Sequence, residues 1–420
     1  MKLKLCIISF CFLFVIDSMQ QQVVAQSRPN VLLIIADDLN IRLGYYGWPV
    51  STPNIDRLAS IGRPFMNAYC QYPLCNPSRA SFMSGLRPDR TGIYNNSQNE
   101  RILGAIWLNE WFKSREYRTA RFGKVYHHPQ YFTNWTYQSD SKDDLFTCLE
   151  TGKPGSWCSQ SIIDAQTQDG KNVNKAASWI QTNREFSWMC CVGLTRPHTL
   201  HAPSSYYGLY AASAIQLSPD PANDLNDVPV EAYSNNFPLA VSDFDARLSI
   251  RAYYASVSFV DAQIGILLAK LDQLQLWNKT IVVIFGDHGF LLGDHAGIWG
   301  GRVLFDWATR VPFIIVIPNQ ILPGQSTVKY AELTALFPTL TDLCNLSTPI
   351  GLDGLSLKPL INDPNSIVYT EVLSYLKVKE FPLSNSIVTN NFRSSLWSQG
   401  GIELYDLLQD PRENVNLAVP

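Results

Sequence analysis

Val31-Leu32-Leu33-Ile34-Ile35-Ala36 is an unbroken apolar run that stops at two adjacent carboxylates, Asp37-Asp38. Apolar residues without polar alternation describe a strand covered on both faces, the condition of a strand inside a parallel sheet. Ile281-Val282-Val283-Ile284-Phe285 repeats the pattern and ends in Gly286-Asp287-His288-Gly289. Between the two, residues 248–276 place Tyr253, Val257, Val260, Ile264, Leu267, Leu268 and Leu271 at helical spacing and lead through Trp277-Asn278 into the second run. Residues 188–194 and 311–317 are further strand candidates. Strands alternating with helices of this length predict an α/β fold, with a mainly parallel sheet flanked by helices on both faces. In such sheets ligands sit beyond the carboxyl ends of the strands, so Asp37, Asp38, Asp287 and His288 are expected to meet in space. Beyond residue 345 the apolar runs shorten, and Ser394-Ser395-Leu396-Trp397 with residues 402–408 predict hairpin strands in a small C-terminal α+β subdomain. The expected organisation is a leader at 1–25, a catalytic domain at 26–345 and the subdomain at 346–420.

The 420 residues are 46% hydrophobic and 12% aromatic, which supplies a large core and excludes a disordered chain. A net charge of -3 excludes a polybasic nucleic-acid binder. Lys2 and Lys4, the apolar run from Leu5 to Ile16 and the small residues of Val23-Val24-Ala25 read as a secretory signal. No later stretch reaches the roughly 18 apolar residues of a membrane span. Export predicts an oxidising folding environment, in which Cys148 and Cys158 form the natural local disulfide. Cys70, Cys75, Cys190, Cys191 and Cys344 remain, so at least one is free or modified. Cys190-Cys191 lie on an expected buried strand and are most simply core residues. Sequons at Asn95, Asn134, Asn278 and Asn345 agree with secretory passage as glycosylation sites.

Paired carboxylates at one strand end and Asp-His at another form an oxygen-rich set suited to Ca²⁺ or Mg²⁺, although an isolated Asp-Asp pair also serves as a helix cap. A zinc site drawn from His127, His128, His198, His201, His288 and His295 lacks the usual ligand spacings. In Cys75-Asn76-Pro77-Ser78-Arg79 the arginine follows the thiol by four positions, unlike the phosphatase cradle. Pro77 suits the first turn of a helix reaching Met83, which sets residue 75 at the positive end of that helix.

The segment Cys75-Asn76-Pro77-Ser78-Arg79-Ala80-Ser81-Phe82-Met83-Ser84-Gly85 resembles the signature of the formylglycine-dependent sulfatase family, Cys-x-Pro-Ser-Arg followed at fixed spacing by Ser/Thr-Gly. Asp37-Asp38, Gly123-Lys124-Val125-Tyr126-His127, Arg196-Pro197-His198 and Asp287-His288-Gly289 arrive in that family's order. Within the family, residues 31–39 and 51–59, Tyr254-Ala255-Ser256-Val257-Ser258, Leu336-Phe337-Pro338-Thr339-Leu340 and the use of His288 resemble the iduronate-2-sulfatase branch. The likeness runs from about residue 29 to 346 and resumes weakly at Glu403-Leu404-Tyr405-Asp406 and Asp410-Pro411. It implies an alkaline-phosphatase-like fold and hydrolysis of sulfate esters, with 2-sulfated iduronate of heparan and dermatan sulfate as substrate. It also implies oxidation of Cys75 to formylglycine by a formylglycine-generating enzyme, and a lysosomal or secreted destination. Asp37, Asp38, Asp287, His288 and the modified Cys75 would bind one Ca²⁺. Arg79 would stabilise the nucleophilic oxygen, Lys124 and His198 would hold sulfate, and His127 would act as the base.

The chain departs from the family at Trp299-Gly300-Gly301-Arg302, where Gly301 takes the place of a sulfate-contacting lysine. Arg302 is adjacent and permanently charged, and it is the candidate substitute for substrate binding. The same departure and the short C-terminal region leave two other readings open. One is a sulfatase for choline sulfate or another sugar sulfate; the other is a binder of sulfated glycans with weakened chemistry.

Overall fold

The computed structural model describes residues 28–102, 104–140, 157–198, 200–389 and 391–419. The leader and Cys148 lie outside the described residues. β1 (Asn30–Asp37) is buried at all its positions. It joins β2 (Arg63–Tyr69), β3 (Arg118–Gly123), β4 (Tyr137–Ser139), β5 (Trp188–Pro197), β6 (Thr280–Gly286), β7 (Arg310–Val311), β8 (Phe313–Val316) and β9 (Thr327–Glu332) in one sheet. The strand order is β7-β2-β8-β6-β1-β5-β3-β4, with β9 beside β2. The segment from β6 to β4 is parallel throughout, as expected. β8 departs from that pattern and runs antiparallel to both β6 and β2. The helices between β6 and β8 are four-residue turns, too short to carry a parallel crossover.

Alternate side chains of β1 feed two cores, which explains its continuous apolarity. Leu32, Ile34 and Ala36 pack with α1 (Pro53–Ile61), α3 (Gln168–Asn183) and α4 (Asp243–Gln273) on one face. Val31, Leu33 and Ile35 pack with α2 (Cys75–Ser84) and α5 (Leu336–Leu343) on the other. α4 is the one described helix long and apolar enough to cross a membrane, and it is largely buried in the first core. It extends the expected helix by a turn at its start, where the Ser242 side chain accepts from Asp245 N. Cys190 and Cys191 lie on β5, one in each core, and both thiols are free.

The expected C-terminal hairpin is two strands of a four-stranded antiparallel sheet: β10 (Glu371–Lys377), β11 (Leu383–Thr389), β12 (Phe392–Leu396) and β13 (Ile402–Asp406). Its inner face mixes buried Ser374, Ser384, Ser386, Arg393, Ser395 and Glu403 with Val372, Leu376, Val388 and Tyr405. Arg393 pairs with Asp306 at 2.9 Å and with Glu413, and Ser374 donates to Cys70 O at 2.6 Å, so hydrogen bonds and ion pairs seat this sheet.

Asp261 of α4 reaches across the core to cap α1, accepting from Asn54 N at 3.0 Å and Ile55 N at 2.8 Å. Asp261→Ala strands these first-turn amides and is expected to destabilise the protein by about 1–3 kcal/mol, read as a lowered thermal midpoint.

Candidate active site

Four parallel strands end at the same edge of the sheet, and each delivers polar side chains as it ends. β1 gives Asp37 and Asp38, β6 gives Asp287 and His288, β3 is followed by Lys124, and β5 by His198. α2 starts at Cys75 and ends at Gly85 in a left-handed cap (φ 71°). The turn after β3 needs Gly123, because its φ is +70° and a Cβ there would lie 2.2 Å from Gly193 O. Asp38 also has a positive φ of 63°. Tyr253 holds that turn by donating to Asp38 O at 2.7 Å and accepting from Asn40 N at 2.8 Å.

Arg79 is fully buried and ties the edge together. Its Nη2 lies 2.7 Å from Asp37 Oδ1 and 2.8 Å from Asp287 Oδ2, and its Nε donates to Asp287 Oδ2 at 2.9 Å. Its Nη1 donates to the carbonyls of Lys124 and Val125. Lys124 Nζ pairs with Asp37, and His198 Nδ1 lies 2.6 Å from Asp38 Oδ2. Burial works against ionisation of Asp37, but Lys124 and Arg79 hold its carboxyl well below the usual range. Asp38 is likewise lowered against its burial, chiefly by His198. His198, half-exposed, is pushed up to about 9, chiefly by Asp38. Burial first, then Lys124 and Arg79, push His127 down to about 4, which leaves its imidazole neutral at pH 7.

The donor set fits a divalent cation. Ligand atoms of Asp37, Asp38 and Asp287, and those of Asp38, Cys75 and His288, fall within 4.8 Å of one another. His288 Nδ1 faces Gly289 O at 2.9 Å, which assigns the proton there and leaves Nε2 as a lone pair. That lone pair lies 3.0 Å from Asp38 Oδ1, an oxygen that is buried without a hydrogen-bond partner, and 3.4 Å from Cys75 Sγ. Two acceptors facing each other in a buried site are accommodated by a cation between them, and carboxylate-rich donors favour a hard one.

The expected residues Asp37, Asp38, Cys75, Arg79, Lys124, His198, Asp287 and His288 are thus brought together, and His127 lies within the field of Lys124 and Arg79. Among the described residues, His128, His201 and His295 join no metal-ligand cluster; His128 Nε2 lies 2.8 Å from Asn96 O and His295 Nδ1 2.9 Å from Asp224. Arg302 is exposed on a neighbouring cavity wall, while Gly301 stands against His288, where a Cβ would lie 3.4 Å from the ring. Cys158 is disulfide-bonded, and Asn95, Asn134, Asn278 and Asn345 are all exposed. The sequence reading counted Tyr253 as apolar core and missed its hydroxyl, which sits under the Asp38 turn. Asn76 was also passed over: its side chain donates to Asn95 O and Gln98 O at 2.8 Å and fixes the loop facing the start of α2.

The sulfatase family profile matches residues 29–346, and a profile for the C-terminal region of N-sulphoglucosamine sulphohydrolase matches residues 293–419. A sulfatase of Formosa agariphila is 29% identical, covering 93% of this chain and 83% of that protein. Human iduronate 2-sulfatase is 32% identical over 76% of this chain and 70% of its own length. A protein solved in complex with its substrate D-glucosamine-2-N,6-O-disulfate superposes with a TM-score of 0.80 at 20% identity, covering 93% of this chain and 94% of that one, and so shares the fold. The chain belongs to the sulfatase family, hydrolases of sulfuric esters.

A hard divalent cation, Ca²⁺ or Mg²⁺, at one hundred times its dissociation constant is expected to stabilise the protein by about 2.7 kcal/mol, visible as a raised melting temperature. Asp38→Asn and Asp287→Asn should each reduce or abolish that rise. An unchanged melting temperature across titrations of the wild type with both calcium and magnesium would exclude the cation site.

Proposed function

We propose that the protein removes 2-sulfate groups from iduronate residues of heparan or dermatan sulfate, using one Ca²⁺ and a formylglycine made from Cys75 in the secretory pathway. The placement of Cys75 at the start of α2, against His288 and the carboxylates of Asp37, Asp38 and Asp287, carries the hydrolase chemistry, and the 32% identity to human iduronate 2-sulfatase supports the choice of sugar. A formylglycine there supplies a hydrated aldehyde oxygen as nucleophile toward sulfur. Asp37, Asp38, Asp287 and His288 would hold the calcium ion, which would supply positive charge to lower the pKa of a hydroxyl at residue 75 and to offset that of sulfate.

The chain's own side chains do the rest. Lys124 and His198 present cations at the mouth of the site, where the charge of a sulfate is met. Every guanidinium nitrogen of Arg79 is engaged by Asp37, Asp287 or the backbone at 124–125, so Arg79 acts as a positioning residue that fixes the metal-binding carboxylates. Neutral His127, whose Nδ1 has no partner among the described residues, is free to accept a proton from the nucleophile's remaining hydroxyl. A base that stays neutral down to about pH 4 suits an acidic compartment, which supports a lysosomal destination.

Sulfate release from a 2-sulfated iduronide terminus should exceed release from other sugar sulfates and from choline sulfate. Equal or greater release from another ester in that panel would replace the iduronate assignment. A base must be unprotonated to act, so kcat should fall on the acid side as pH drops through about 4, not through the ordinary histidine range near 6.5. His127→Ala should lower kcat by about 10²–10⁴-fold and remove that limb.

A further inference from the structure

A cavity of about 670 Å³ opens beside the reaction centre, between the chain leading into α2 and the end of β10. Its volume lies within the roughly 300–1,000 Å³ of small-ligand sites. Leu74, which precedes the nucleophile position, forms part of its wall, and so does Asn96, whose Oδ1 accepts from Asn76 N at 3.1 Å. Three cations face this space, Arg302 from one side and Lys377, at the end of β10, with Lys379, in the turn after it, from the other, against one acidic residue, Glu380. Among the described residues, none of the three cations has an ion-pair partner.

The position of Lys377 is built into the fold. Its backbone N donates to Tyr72 Oη at 2.9 Å, its carbonyl accepts from Asn235 Nδ2 at 3.1 Å, and its ammonium lies 5.7 Å from the Tyr94 ring centre. Tyr72 in turn donates to Tyr94 O at 2.8 Å, so the same loops that frame position 75 also hold this lysine. Gly301, between Pro73 O and the His288 ring, has no side chain where a Cβ would come within 2.9 Å of that carbonyl, which keeps the boundary between the two spaces thin.

We propose that this cavity seats a second anionic group of the substrate, a sulfate or a carboxylate carried on the glycan beyond the reacting ester, with Arg302, Lys377 and Lys379 as its specificity-determining residues. The inference rests on the sulfate-ester reading for the identity of the substrate, but binding tests it independently of turnover. Calorimetry on the calcium-loaded protein would compare heparin-derived disaccharides carrying a carboxylate alone, one sulfate, or two sulfates. Wild-type affinity should rise with the added anion, and the gain should shrink with salt. Lys377→Gln/Lys379→Gln, and separately Arg302→Gln from the opposite wall, should lower that gain by about tenfold. The carboxylate-only and sulfated probes distinguish which anion is seated. A gain that survives in both variants, or the absence of a gain in the wild type, would overturn the proposal. A gain lost in the variants of a protein that releases no sulfate would uphold the cavity and defeat only the hydrolase reading.

Discussion

Arg79 lies wholly buried between Asp37 and Asp287, and that one guanidinium connects the ends of β1 and β6 to the first turn of α2. A charge taken out of water is tolerated only when it is paired and hydrogen-bonded, and here every donor finds an acceptor. Breaking such a pair from one side typically costs about 3–5 kcal/mol, because the remaining charge stays buried and alone. The geometry of the reaction centre is therefore inherited from folding: the bridge that joins two central strands to the nucleophile helix is the bridge that aims the carboxylates.

Around it, electrostatics divides the histidines by neighbour. His198 sits on Asp38 and carries charge, whereas His127 sits among cations and does not. His288, with its proton assigned to Gly289 O, turns a lone pair toward Asp38. One residue type thus presents a cation, a neutral imidazole and a buried lone pair, because it is placed in three different fields.

Much of this was legible in the chain, for reasons that particular residues show. β1 and β6 announce themselves because both of their faces are covered, and Asp37 and Asp287 mark where each run stops. Pro77 and Gly85 bracket α2 in the sequence and in the fold. Three features resisted reading. Tyr253 counts toward an apolar stripe, yet its hydroxyl holds the Asp38 turn, which periodicity cannot register. In β11 and β12 the serines alternate with apolar residues, so patterning alone would face Ser384, Ser386 and Ser395 to water; they are buried where Arg393, paired with Asp306 and Glu413, forms an ionic seat beneath the sheet and donates to Ser386. Arg302, the candidate substitute for the side chain missing at Gly301, faces an adjoining cavity, a placement that spacing along the chain does not carry.

The chemistry of residue 75 decides the account, since the proposed reaction needs an oxygen nucleophile there, among the carboxylates, cations and neutral histidine. The direct measurement is the mass of the peptide spanning Cys75 from protein made in a eukaryotic secretory host, with a known sulfatase from the same cells as control. An aldehyde at residue 75 is the predicted result. An intact thiol there, alongside a converted control, would contradict it.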